Sequence, residues 1–341
     1  MVVLISSSNP TYFEGEAFNF KNGMFYNSFE DAKPVFSSSE RHKGNSFWTW
    51  ILNRKKTKKE WTLDEITQFT QFAKYEKRDF SNNLDIVFIN HASFLIQIEG
   101  VNIITDPIWS KRASPVSFFG PERFVNPPFG LQDLPKIDYI LISHSHFDHL
   151  DLPTLKKLNK MFNPIIFAGL GVCKFLASQG LKNCIEKNWG EWIEVKKDFK
   201  IYFEMAKHWS KRSLFDANKL LWGSFVIHSP KFKVYFAGDT GYGKHFEMIG
   251  KKYQGFDIAL LPVGAYEPRY IMAYSHLNPE EAILAHKDLN SKQSFGMHLK
   301  TFQLTDEGFN QPVVDLETAK NKHKINADRF TILNFGERRI F

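Results

Sequence analysis

Three histidines and an aspartate lie close together near the middle of the chain, in the segment Ser143-His144-Ser145-His146-Phe147-Asp148-His149-Leu150, here called the histidine loop. It follows a predicted apolar strand and precedes a helix predicted to begin near Pro153. Side chains alternate along an extended segment, so the first two histidines point the same way, whereas Asp148 and His149 can turn toward a second position. Imidazole nitrogens with a carboxylate oxygen are ligands that zinc prefers. The histidine loop therefore predicts ligands for two adjacent metal ions.

Three further metal-ligating side chains lie close to the ends of predicted strands. His208, Asp239 and His298 each come after a short apolar segment. Glycines on both sides of Asp239 let backbone and metal approach closely. A carboxylate between two cations can bridge them. These three residues are expected to complete a dinuclear site.

From residue 84 onward, short apolar strands alternate with helical segments and turns. Strands are predicted over residues 86–89, 93–98, 101–105, 139–143, 165–168, 192–195, 200–206, 223–228, 233–237, 258–263, 294–298 and 329–333. Helices are predicted over residues 153–160, 172–179, 279–289 and 315–322. This order is typical of an α+β chain with sheets covered by helices. We expect one catalytic domain over residues 85–341.

Residues 1–84 are predicted to be a partly irregular extension that packs on the catalytic domain. Within it, Thr62-Leu63-Asp64-Glu65 is a capping box that predicts a helix carrying Ile66, Phe69, Phe72 and Ala73 on its apolar face. The basic run Arg54-Lys55-Lys56-Thr57-Lys58-Lys59 favours either an anionic partner or a solvated surface.

Composition narrows the class of protein further. The 341 residues are 43% hydrophobic and 24% charged with a net charge of +7, which excludes a disordered, fibrous or coiled-coil chain. No apolar run approaches the roughly 20 residues that a membrane span needs, and the N-terminus does not resemble a signal peptide. We therefore expect a cytoplasmic location, with peripheral membrane contact left open. Cys173 and Cys184 are expected to be free, buried thiols of a reducing compartment, and a single bridge between them is the alternative.

Longer sequence motifs around the expected metal ligands reduce the number of protein families that fit the chain. They are Thr105-Asp106-Pro107-Ile108-Trp109-Ser110, Ala113-Ser114-Pro115, Gly120-Pro121, Arg123-Phe124, His208-Trp209-Ser210-Lys211-Arg212, Leu221-Trp222-Gly223-Ser224, Ala237-Gly238-Asp239-Thr240-Gly241-Tyr242, Gly264-Ala265-Tyr266-Glu267-Pro268-Arg269, and His276 with Pro279-Glu280-Glu281-Ala282. Together with the ligand residues they resemble the metallo-β-lactamase superfamily, and within it the N-acylphosphatidylethanolamine-hydrolysing phospholipases D. The resemblance implies a four-layer αβ/βα sandwich with a dinuclear metal site at one sheet edge.

The resemblance also implies a role for each ligand. One zinc ion would be held by His144, His146 and His208, the other by Asp148, His149 and His298, and Asp239 would bridge them. Iron or manganese is compatible with the same ligands.

Asp106 and His276 match two further catalytic positions of the family. Asp106 would orient a ligand histidine or the nucleophile, unless it is only a turn carboxylate before Pro107. His276 would meet the phosphate or the leaving oxygen, unless it is a surface histidine beside a helix. The chain departs from the family after His298, where Leu299-Lys300 replaces the usual Trp-Gly. Lys300 would contact an anionic substrate or face solvent.

The implied activity is that of a zinc-dependent phosphodiesterase of phospholipase D type, which hydrolyses N-acylphosphatidylethanolamine or a similar phospholipid to N-acylethanolamine and phosphatidic acid. Two alternatives remain open: a metallo-hydrolase of the same fold that acts on a lactone, cyclic phosphodiester or nucleic acid, and a non-catalytic module on membrane surfaces. No helix-turn-helix or zinc-finger pattern accompanies the positive charge, so no nucleic-acid partner is expected. The aromatic segment from Phe118 to Phe129 would contact the bilayer or form core. A homodimer is implied by the resemblance alone.

Overall fold

The computed structural model describes residues 10–28, 49–50, 53–54, 58–70 and 83–341. Phe72 and Ala73 of the capped helix, and Lys55, Lys56 and Thr57 of the basic run, lie outside the described residues. Two short strands, β1 (Phe20–Lys21) and β2 (Met24–Phe25), form an antiparallel hairpin in the N-terminal part. No helix among the described residues is long and apolar enough to span a membrane.

Fourteen further strands form two seven-stranded sheets. They are β3 (Leu84–Asn90), β4 (Ser93–Ile98), β5 (Val101–Thr105), β6 (Tyr139–Ile142), β7 (Ile165–Gly169), β8 (Cys184–Lys187), β9 (Trp192–Lys196), β10 (Phe199–Glu204), β11 (Ser224–His228), β12 (Lys233–Phe236), β13 (Phe256–Pro262), β14 (Ser291–Met297), β15 (Phe330–Thr331) and β16 (Arg338–Ile340). The first sheet has the order β16-β3-β4-β5-β6-β7-β8, and the second has the order β15-β14-β13-β12-β11-β10-β9.

Helices cover the outer faces of the sheets. They are α1 (Leu63–Thr70), α2 (Leu152–Phe162), α3 (Val172–Ser178), α4 (His245–Tyr253), α5 (Arg269–Met272), α6 (Pro279–Asp288) and α7 (Gln311–His323). The parallel strands β5 to β8 require crossover connections, and α2 and α3 supply two of them. The parallel strands β12 to β15 are likewise joined through α4, α6 and α7.

Side-chain alternation along the strands explains the layering. On β3, Leu84, Ile86 and Phe88 belong to the core between the sheets, whereas Val87 and Ile89 pack with α2 and α3. Because both faces of this strand are apolar, the sheet must be covered on each side. The result is the predicted four-layer αβ/βα sandwich.

The described N-terminal residues contact the sandwich at several places. Phe13, Phe20 and Phe25 of the hairpin region pack on the core between the sheets. Further along, the Trp61 indole donates to the Glu307 carbonyl. The capping box is formed as predicted, with the Thr62 backbone N–H donating to the Glu65 carboxylate.

The two cysteines form a disulfide bond, so the prediction of free thiols is wrong. Cys173 lies in the first turn of α3 and Cys184 begins β8, the next element in the chain. This crossover is so short that its ends meet with a Cα–Cα distance of 5.4 Å, which suits a disulfide. A count of cysteines could not reveal that proximity.

Lys300 also differs from its expected roles. The side chain is buried rather than exposed to solvent. Its ammonium lies 4.2 Å from the centre of the Phe69 ring and 4.9 Å from that of Phe309. The lysine therefore holds α1 against the loop that follows His298, through cation–π contacts.

Candidate metal centre

The expected ligands all follow the carboxyl ends of strands, and those ends meet at one edge of the sandwich. In the first sheet β5 and β6 run parallel, so Asp106 and the histidine loop leave the sheet on the same side. In the second sheet β10, β12 and β14 share one direction, and their ends lead to His208, Asp239 and His298. Each sheet therefore supplies part of one site.

A close approach of the two sheets joins these parts. A Cβ atom added to Gly238 would lie only 2.5 Å from the Cβ of Ser143. The Gly223 N–H also donates to the Ser143 carbonyl at 2.9 Å. Glycine at position 238, which has a positive φ of 59°, lets the Asp239 loop pack directly on the histidine loop.

The first group of ligands consists of His144, His146 and His208. The Nδ1 atom of His146 lies 2.9 Å from Nε2 of His144 and 3.2 Å from Nε2 of His208. His144 and His208 are buried, and the Trp209 ring covers His146 with centroids 4.4 Å apart. These nitrogens are close enough together to share one cation.

The second group consists of Asp148, His149 and His298. Nε2 of His149 and Nε2 of His298 each lie 3.4 Å from the Asp148 carboxylate. Asp239 lies between the two groups: its Oδ2 is 3.1 Å from His298 and 3.3 Å from His149, and 3.9 Å from His144 of the first group. A carboxylate in this position can contact ions held by either group.

Several buried polar atoms of these residues have no hydrogen-bond partner within the described parts of the chain. They are Nε2 of His149, Nε2 of His298 and Oδ1 of Asp239. Buried polar atoms are normally paired, and a bound cation satisfies lone pairs that no donor reaches. The donor set therefore fits metal ions.

Electrostatics favour the forms of these side chains that bind metal. Burial opposes ionisation of Asp148 and Asp239, but the adjacent imidazoles, above all His149, lower the pKa of both carboxyls well below the usual value. Burial lowers the pKa of His146 to about 4 and that of the other two histidines of the first group well below 6.5, so they are neutral. Burial also disfavours charge on His149, but Asp239 and Asp148 raise its pKa well above 6.5. A cation would displace that proton.

Hydrogen bonds at Nδ1 orient two of the ligand histidines. The Nδ1 atom of His149 lies 2.7 Å from Asp106 Oδ2, and that of His208 lies 2.9 Å from the Ser275 carbonyl. A carbonyl or carboxylate oxygen accepts, so each Nδ1 carries the hydrogen and each Nε2 keeps its lone pair toward the site.

Asp106 is fully buried and is held by three donors. It accepts from the Ser143 N–H and hydroxyl as well as from His149. Burial raises its pKa, whereas these donors favour the carboxylate form. It therefore contacts His149, one of the expected ligands.

His276 lies beside the same carboxylate that separates the two groups. Its Nδ1 is 3.8 Å from Asp239 Oδ2, and 14% of its side chain is exposed. Burial lowers the pKa of His276 to about 4, so the imidazole is neutral at pH 7. Arg269 donates to its backbone carbonyl and also pairs with Glu281. The position borders the site and is not a free surface.

His91 was missed by the sequence analysis. It is buried in the turn between β3 and β4, and its Nε2 lies 2.9 Å from the Asp148 carboxylate. Since β3 is parallel to β5 and β6, a histidine directly after β3 could have been placed at the same sheet edge. The expected ligands were placed only after other strands.

Comparisons with known proteins place the chain in a family. A sequence model of the β-lactamase superfamily domain matches residues 101–299. The N-acyl-phosphatidylethanolamine-hydrolyzing phospholipase D 1 of Caenorhabditis elegans is 37% identical over 269 residues, which are 75% of this chain and 75% of that protein. The mitochondrial N-acyl-phosphatidylethanolamine-hydrolyzing phospholipase D of Saccharomyces cerevisiae is 38% identical over 64% of this chain, and the match covers 48% of that relative's length.

A solved structure supports the fold independently. Igni18, a metallo hydrolase of the archaeon Ignicoccus hospitalis, superposes with a TM-score of 0.58 at 24% identity, over 76% of this chain and 99% of that one. The resemblance inferred from the motifs is confirmed. The chain is a hydrolase of the metallo-β-lactamase superfamily and belongs to its N-acylphosphatidylethanolamine-hydrolysing phospholipase D-like family.

Proposed function

We propose that this chain is a zinc-dependent phosphodiesterase of phospholipase D type, which hydrolyses N-acylphosphatidylethanolamine or a similar phospholipid to N-acylethanolamine and phosphatidic acid. The observation that carries the choice of substrate is the 37% identity with the Caenorhabditis elegans enzyme over three quarters of both chains. The donor set is compatible with zinc, because it combines five imidazoles with two carboxylates, both of which are ligands of zinc in proteins.

The proposed centre holds two ions. His144, His146 and His208 would hold one, Asp148, His149 and His298 the other, and Asp239 would lie between them. Two such ions stabilise charge on phosphoryl oxygens and lower the pKa of a water nearby. In the reaction, water adds to phosphorus, the bond from phosphorus to the ethanolamine oxygen breaks, and the alcohol leaves with a proton.

The protein's own residues position the reacting groups. Asp106 keeps His149 in the tautomer whose Nε2 faces the site. His276 is neutral and next to Asp239, so it can hydrogen bond the phosphate or the leaving oxygen. Burial of the ligands excludes bulk water and strengthens these interactions.

A phospholipid substrate implies contact with a bilayer, and two exposed apolar segments support peripheral contact. Phe118 and Phe119 are 82% and 75% exposed, and Leu214 is 67% exposed. Phe118 and Phe119 lie in a loop closed at its base by the Arg112–Glu122 bridge. Exposed large apolar side chains on loops are typical of membrane-interface contacts.

The decisive test is mass spectrometry of products formed from N-acylphosphatidylethanolamine by zinc-loaded protein. We expect N-acylethanolamine plus phosphatidic acid, loss of both products after chelation, recovery on adding zinc, and no products from His144→Ala. Protein that holds two metal ions and forms neither product would overturn the substrate assignment and direct attention to lactones and cyclic phosphodiesters.

Membrane contact has a separate test. Wild type should sediment with anionic vesicles, and a Phe118→Ser, Phe119→Ser double variant should sediment several-fold less while it still hydrolyses detergent-dispersed substrate. Equal sedimentation of the two proteins would refute the role of this loop.

A further inference from the structure

His91 is a buried histidine beside the proposed metal centre that neither the motifs nor the proposed ligand set uses. It begins the turn after β3 with a positive φ of 48°, a conformation uncommon for residues that have a Cβ atom. Asp106 and His298 share this feature, with φ values of 33° and 64°. Strained backbone of this kind persists where the surrounding structure requires it and clusters at functional sites.

The side chain of His91 makes one polar contact, and that contact is to a proposed ligand. Its Nε2 lies 2.9 Å from Asp148 Oδ2. An ionised carboxylate only accepts, so the imidazole donates from Nε2. A nitrogen that donates its hydrogen to Asp148 has no lone pair left for a metal. This contact orients the carboxylate; because a nitrogen of His91 also lies within 4.8 Å of ligand atoms of Asp148, His149 and His298, direct ligation is the competing outcome that the variants below separate.

The backbone of His91 contacts a second proposed ligand. Its carbonyl accepts from the His298 N–H at 2.7 Å, and its own N–H donates to the Thr301 hydroxyl at 2.9 Å. The imidazole also packs on the His298 ring with centroids 4.0 Å apart. The turn between β3 and β4 therefore contacts one proposed ligand from each sheet, Asp148 from the first and His298 from the second.

We propose that His91 is a positioning residue for the second proposed ion, which aims the Asp148 carboxylate by hydrogen bonding from Nε2 and supports His298 through its backbone. This inference rests on the proposed metal centre but not on the proposed substrate. The first group of ligands has no hydrogen bond to His91 within the described residues, so its ion should be unaffected.

The experiment is a zinc titration of apo protein against a chromophoric chelator, with metal content measured after dialysis at fixed free zinc. His91→Ala removes the side-chain hydrogen bond but keeps the backbone contacts. We expect the second site, formed by Asp148, His149 and His298, to lose 10–100-fold in zinc affinity, as is usual for groups that hold a metal ligand, and the first site to change less than about threefold. A second site within threefold of wild type would overturn the proposal.

Two further variants keep the test decisive. His91→Gln places an amide N–H near the position of Nε2, so it should restore most of the zinc affinity. A residue that ligated the metal directly would lose affinity in both variants and would change the visible spectrum of the cobalt-substituted protein in both. His286→Ala removes another buried imidazole outside the site and controls for general loss of stability. If wild type binds zinc as described but cleaves no phospholipid, the substrate proposal fails and the role of His91 is still decided.

Discussion

Replacement of Asp106 by asparagine gives a direct test of how the proposed centre is organised. The carboxylate accepts three hydrogen bonds: its Oδ1 from the Ser143 N–H at 2.7 Å, and its Oδ2 from His149 Nδ1 at 2.7 Å and the Ser143 hydroxyl at 2.5 Å. Asparagine has one acceptor oxygen where aspartate has two. Either the Ser143 N–H or the pair of donors formed by His149 Nδ1 and the Ser143 hydroxyl must therefore face the amide N–H₂. If that pair faces the amide, the His149 ring must accept at Nδ1 and carry its hydrogen at Nε2, toward Asp148 and Asp239.

The expected magnitude follows from the bond that is lost. A hydrogen bond to a charged group contributes about 1.5–3 kcal/mol, which corresponds to roughly 10–100-fold in affinity. We expect Asp106→Asn to weaken zinc binding at the second site by that factor and to lower kcat/KM in parallel. Metal titration and steady-state kinetics measure the two effects.

Ser143→Ala is the matched control for this prediction. It removes one neutral donor from Asp106 and leaves the carboxylate to accept from His149, so zinc affinity at the second site should change less than about threefold. The same hydroxyl lies 2.9 Å from Nδ1 of His144, so any loss of affinity in this variant is expected at the first site. Asp106→Asn with wild-type zinc affinity at both sites would refute the tautomer argument.

Three further predictions concern stability. Arg212 donates to two backbone carbonyls of the histidine loop, at 2.7 and 2.9 Å, so Arg212→Met should destabilise the fold by about 3 kcal/mol or more; denaturant unfolding measures this, and a change below about 1 kcal/mol would contradict it. Burial lowers the pKa of His286 to about 4, so the unfolded chain binds a proton below pH 6.5 that the folded chain does not, and stability falls as pH falls. Between pH 7 and pH 5, the free energy of unfolding of His286→Gln should therefore fall by about 1–2 kcal/mol less than that of wild type. Identical profiles of unfolding free energy against pH for the two proteins would exclude this role. Cys184→Ser removes the disulfide between two residues that are 11 apart in the chain, so its free energy of unfolding without reductant should be about 3 kcal/mol lower than that of wild type. With reductant, wild type and Cys184→Ser should have equal stability.

The sequence predicted the fold well where burial leaves a clear pattern. Strands β4 and β5 have the predicted limits, because each is a short apolar run bounded by turn residues. Strand β8, with the sequence Cys-Ile-Glu-Lys, was missed because an edge strand needs little apolar alternation. Helix α4 was also missed, since it follows a glycine-rich turn and shows few apolar positions. Pairing across space, such as the disulfide, leaves no pattern along the chain.

The candidate site was predictable for a different reason. The seven expected ligands lie together in the structure because each follows a strand, and parallel strands end at one edge. His91 escaped because the direction of β3 relative to β6 depends on the pairing of the two strands between them, β4 and β5. The contacts of Lys300 escaped because they involve α1, which is more than 200 residues away in the chain. Local rules place a residue at a strand end, but they do not reveal which distant element covers it.

Neither sheet carries a complete ligand set, which makes the packing between the sheets a determinant of the site. The first sheet supplies the histidine loop, and the second supplies His208, Asp239 and His298. Each proposed ion would therefore have ligands from both sheets. Metal–ligand distances tolerate shifts of only about 0.2 Å, so the spacing of the sheets must be held to a similar precision. Large, fully buried rings such as Phe167 and Phe225, whose centroids are 5.3 Å apart across the interface, provide that rigidity. The aromatic core between the sheets therefore also helps to set the geometry of the proposed metal centre.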